Sequence, residues 1–75
     1  MDLPDDLLRL QRAADEAHAP LPDLEGEEWV AQRAVWFAAA VEVQAAVTVW
    51  AREQGANRYE VEVALRRATR HADAE

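Results

Sequence analysis

The chain has 75 residues, a formal net charge of −7, and hydrophobic and charged shares of 51% and 31%. This is one domain at most, residues 1–75, and too apolar for intrinsic disorder. With no Cys, Ser, Lys or Ile, the composition excludes disulfides, thiolate zinc sites, serine and cysteine nucleophiles, Schiff-base and P-loop lysines, and the serine that a phosphopantetheine carrier requires.

The first predicted element is a helix over about 4–18. Pro4 suits the first helical position, and Asp5 and Asp6 sit where the helix dipole favours negative charge. Leu3, Leu7, Leu10, Ala14 and Ala17 recur every third or fourth residue and so share one face. The run Ala19-Pro20-Leu21-Pro22-Asp23 stops this helix, and Asp23 is placed to cap the next.

The second helix, over about 24–54, is the informative one. Trp29, Trp36, Val43 and Trp50 fall on a seven-residue repeat, and Ala40 and Val47 follow Trp36 and Val43 by four, completing a heptad seam. Phe37 adjoins that seam, and Arg33 is spaced for cation–π contact with Trp29 or Trp36. Gly55 then suits the left-handed residue that ends a helix, and Asn57 with Glu60 forms a capping box for a third helix over about 58–73. The pattern is all-α: a short, a long central and a medium helix, folded as antiparallel hairpins.

Lengths carry this further. At 1.5 Å per residue the central helix is roughly 45 Å long, whereas a compact monomer of this size is only about 30 Å across. The flanking helices, about 22 and 24 Å long, are expected to lie end to end along one side of it. The other side is then bare. Below about 70–80 residues a single core rarely supplies more than roughly 3–5 kcal/mol, and with no cysteine the remaining staple is a second subunit. The expected state is a homodimeric helical bundle, with Trp29, Arg33, Trp36, Phe37, Ala40, Val43, Val47 and Trp50 as the partner interface.

The expected function is therefore a small protein–protein interaction module acting as an adaptor, regulator or assembly subunit, not an enzyme. Only Tyr59, Thr48 and Thr69 offer hydroxyls, and no acid–base pair is placed to activate them. No metal site and no cofactor are expected. Asp15 and His18 are one helical turn apart, a weak acid–base or metal spacing, and His71-Ala72-Asp73 is too short for a ligand set. Residues 1–28 hold nine acids against Arg9 and Arg12, which accounts for the whole net charge. Direct nucleic-acid binding is thereby disfavoured. The alternative reading is an acidic inhibitor or nucleic-acid mimic that occupies a basic groove of a partner. Arg66, Arg67, Arg70 and His71 at the end of helix 3 suit the negative end of its dipole. An apolar ligand between the tryptophans is a further possibility.

The most apolar stretch, residues 34–51, carries Glu42 and Gln44 near its middle. A carboxylate at a bilayer centre costs about 2.5–3.5 kcal/mol even on lenient scales, so a buried helix is expected here, not a membrane span. The start, Met1-Asp2-Leu3-Pro4-Asp5-Asp6, is acidic where a signal peptide is basic. The expected setting is cytoplasmic.

Overall fold

Pro4, with φ −66° and ψ 148°, is extended, so it sits one residue outside helix α1, Asp5–His18, as its cap. Its carbonyl accepts the amides of Leu7 and Leu8, while Asp5 and Asp6 occupy the first turn. The computed structural model describes residues 1–74 and is all-α, with no strand among the described residues.

The connection after α1 departs from expectation. Asp23 does not cap the central helix. Leu21–Asp23 instead forms one 3-10 turn with Pro22 in its first positions, closed by the Leu24 amide donating to the Leu21 carbonyl at 3.1 Å. Two prolines without amide donors favour this tight turn over an early helix start. The chain enters α2, Gly26–Gln54, through Gly26 at φ 61°, where a side chain would be strained.

Helix α2 runs unbroken for 29 residues. At 1.5 Å per residue this is about 43 Å, matching the longest dimension of the molecule, 43 Å. The radius of gyration is 13.5 Å, against about 11 Å for a compact chain of this length. Its end is tightly specified. Gly55 is left-handed at φ 63°, its amide donates to Arg52 at 3.3 Å, and the Ala56 amide donates to Ala51 at 2.9 Å. Those paired bonds satisfy carbonyls that would otherwise be orphaned at the helix C-terminus.

Helix α3, Arg58–Ala74, starts under Asn57, whose Oδ1 accepts the Tyr59 and Glu60 amides at 2.8 and 3.3 Å. Substituting Asn57→Ala removes both bonds, and we expect a loss of about 1 kcal/mol in urea unfolding. A change within experimental error would show that the turn at Gly55 alone sets the start of α3.

All three helices share one core of Leu7 and Ala14 from α1, Val43, Val47 and Ala51 from α2, and Val61 and Leu65 from α3. The two flanking helices therefore do not lie end to end along α2. They sit side by side: Gln11 and Asp15 of α1 border the same groove as Arg66, Thr69 and Arg70 of α3. The reason is where the fully buried residues of α2 fall, between Val43 and Ala51. Both short helices bury more by sharing that segment than by dividing the rod between them. The N-terminal third of α2 is left largely exposed, touched only where the 3-10 turn and the end of α1 meet it. Of residues 27–35, only Gln32 is even half-buried.

Candidate association surface

The composition of α2 is the origin of the surface. Its 29 residues are apolar around nearly the whole circumference, yet only Val43, Val47 and Ala51 are buried. A helix apolar all round normally lies inside a larger core or a membrane. By length and composition α2 could cross a bilayer, with a mean hydropathy of 1.5 over its most apolar window.

One side of α2 faces the other two helices. Ala39, Ala46 and Trp50 pack against the core there. Gln32 Nε2 donates to the Ala17 carbonyl at 2.8 Å, satisfying an acceptor in the last turn of α1. His18 meets Trp36 edge-on, with ring centroids 5.3 Å apart and planes at 69°. Trp36 thus takes up the end of α1, and Trp50 fills the space beside the core at the other end of the contact.

The opposite side is bare. Val30, Phe37, Val41 and Val49 are spaced at helical intervals and are 62%, 56%, 52% and 53% exposed. Ala34, Ala38 and Ala45 lie between them and are also exposed. The Val41–Ala45 ridge is flanked by two open apolar hollows. One, of about 450 Å³, lies between Phe37, Val41, Gln44, Thr48 and Arg58. The other, of about 460 Å³, lies between Leu7, Ala45, Val49 and Trp50. Arg58 forms the rim of the first; its guanidinium bonds the Gln44 side-chain oxygen and pairs with Glu62 at 3.5 Å.

The eight residues expected at a partner interface are therefore divided. Val43 and Val47 are 3% and 1% exposed within the subunit and belong to its core; they cannot meet a partner while α1 and α3 cover them. Trp36, Ala40 and Trp50 are half-buried beside that core. Trp29, Arg33 and Phe37 are exposed, and the Arg33 guanidinium lies 5.9 Å from the Trp29 ring centre. From Trp36 to Trp50 the heptad seam faces inward, while Trp29 at its start stays exposed. Val30, Val41 and Val49 complete, with Phe37, the surface that faces out, and the spacing of Val30, Phe37 and Val41 by seven and four residues is the signal for it in the sequence.

Side chains with chemical potential are otherwise occupied. Asp15 accepts from Gln11 at 2.9 Å, while His18 is turned to Trp36, so the two do not form a pair. Thr48 and Thr69 donate to carbonyls of their own helices at 3.0 and 3.1 Å. Tyr59 is 72% exposed. Among the described residues no three His, Cys, Asp or Glu side chains come together as a metal site. The nine acids of residues 1–28 all lie at the surface; Asp6 pairs with Arg9 at 3.5 Å. The side chain of His71 lies outside the described residues.

These features define an all-α, three-helix protein with one long helix face left uncovered. No protein-family model, curated protein or solved structure matches the chain.

Proposed function

We propose that this chain is a small helical interaction module that works by protein–protein association, first with a second copy of itself, as an adaptor, regulator or assembly subunit. The observation that carries the reading is the bare outer face of α2, with Val30, Phe37, Val41 and Val49 each more than half exposed along one strip. Monomeric proteins seldom leave a contiguous apolar patch above a few hundred Å². This strip is about 40 Å long and about 10 Å wide. Two copies would bury on the order of 800–1,000 Å², near the low end of specific interfaces. Interfaces of this size belong to weak, reversible association.

Catalysis has little support beside this, because the Thr48 and Thr69 hydroxyls are spent on backbone carbonyls and the His18 imidazole on packing against Trp36. A protein is favoured over lipid as the cover for the strip. Glu42 and the acidic N-terminal region oppose insertion into, or adhesion to, an anionic bilayer. The setting that goes with the reading is cytoplasmic, with no cofactor and no direct nucleic-acid contact. Sedimentation of the chain beside its Val41→Glu variant, with the outcomes set out in the Discussion, tests it.

A second reading, an acidic inhibitor seated in a basic groove, is favoured by one observation: the nine acids of residues 1–28 are all exposed. The two readings separate on one variant. Neutralising Asp5, Asp6, Asp15 and Glu16 to their amides should leave self-association in sedimentation unchanged under the first reading. Under the second, it abolishes salt-sensitive binding to a basic protein surface.

A further inference from the structure

We infer that two copies pair through the outer faces of α2 in antiparallel orientation, about a twofold axis passing between Ala38 and Val41, with Glu27 of each copy beside Arg52 of the other. The inference rests on the reading that the chain associates with itself, and adds the orientation and register of the pair.

The charge distribution along the strip favours this orientation. The first turn of α2 is acidic, with Glu27 and Glu28, and Arg52 is the basic residue of its last turn. Steps of seven, four, three, four and seven residues place Glu27, Ala34, Ala38, Val41, Ala45 and Arg52 on one side of the helix. All six are exposed. Reversing a second copy against this strip sets Ala38 opposite Val41, Ala34 opposite Ala45 and Glu27 opposite Arg52, each pairing occurring twice. Glu53, next in sequence, is turned about 100° away from Arg52 and lines the hollow beside Val49. A parallel pair in register would instead set Glu27 against Glu27 and align the two helix dipoles.

Shape points the same way. The alanines let the two helix axes approach closely, and the hollow beside Phe37 and Val41 receives Phe37 of the second copy on the same flank, because a twofold axis returns each flank to itself. Reversal also lays the largely exposed first third of each rod against the half of the other that α1 and α3 brace from behind. Each copy supplies the stiffness that the other lacks.

The absence of native cysteine makes the test clean. Glu27→Cys and Arg52→Cys are prepared separately, both at exposed positions, then mixed, allowed to exchange subunits and oxidised under mild conditions. Facing positions on closely packed helices fall within disulfide reach, Cα atoms about 4.4–6.8 Å apart. The expected product by mass is the mixed disulfide of one variant with the other, with each variant alone remaining uncrosslinked. Dominant self-crosslinking of Glu27→Cys would overturn the orientation. A dimer in sedimentation with neither crosslink would overturn the choice of face. An unmodified chain that sediments only as a monomer would remove the self-association on which the orientation depends, and that result is distinguishable from the other two.

Discussion

Truncating Leu65 to alanine is expected to remove most of the stability of the fold. Leu65 is 1% exposed and is among the largest fully buried side chains, with Val47 and Val61. It joins α3 to Leu7 and Ala14 of α1 and to Val43 and Val47 of α2, so one truncation loosens all three helices. Leucine-to-alanine changes in cores cost about 2–5 kcal/mol through lost transfer energy and residual cavity. The net stability available to a core this small is about 3–5 kcal/mol, so the loss takes most of it. Circular dichroism against temperature should show a midpoint lowered by well over 10 °C. A midpoint within a few degrees of the parent would mean that the core is not the cooperative unit, and that stability resides in the association of copies. If copies do associate, the parent's own midpoint rises with protein concentration.

The second large effect separates folding from association. Val41 is 52% exposed in the subunit, so Val41→Glu places a carboxylate in water and gains slightly in helix propensity. In the proposed pair the same residue lies next to the twofold axis. Two carboxylates would then be desolvated near one another, at a cost of about 2–5 kcal/mol. The expected result is a purely monomeric sedimentation profile, with affinity reduced about 100-fold or more, and an unchanged helical spectrum. The unmodified chain should shift from monomer to dimer across the micromolar range. Two results would sink the association surface: an unmodified chain that remains monomeric at high micromolar concentration, or a Val41→Glu variant that dimerises as well as its parent. Vesicle flotation of the parent separates a third possibility, since binding to zwitterionic bilayers would make lipid the cover for the strip.

The contrast with Val47 clarifies why these two residues differ despite being the same type on the same helix. Six positions apart, they stand about 120° from one another around the axis. Val47 is 1% exposed and Val41 52%. A polar residue at 47 would destroy the fold, whereas at 41 it should spare the fold and destroy only the contact.

The class of the fold and its punctuation follow from local chemistry. Gly55 must be the left-handed residue because it has no Cβ. Asn57 caps α3 through its own side chain, and helix periodicity marks Leu7, Ala14, Val61 and Leu65 as inward. None of these depends on distant partners, and the sequence alone was enough to determine them. The start of α2 was less legible, since the 3-10 turn over Leu21–Asp23 and the left-handed Gly26 are favoured jointly by two prolines and a glycine, not by a capping residue.

What tertiary structure alone decided is which side of α2 is inside. An amphipathic helix announces its buried face by contrast with its polar one. α2 is apolar on both sides, so the tryptophan seam and the valine–phenylalanine strip are equivalent as patterns. The choice fell to packing: Val43, Val47 and Ala51 enter the core shared with α1 and α3, Trp36 and Trp50 flank them, and Phe37 is turned outward with Val30, Val41 and Val49. The same packing placed α3 beside α1 instead of beyond it, and so left a third of the rod largely exposed. Sequence determined that α2 carries more apolar surface than its companions can hide; only the arrangement of those companions decided where the excess lies.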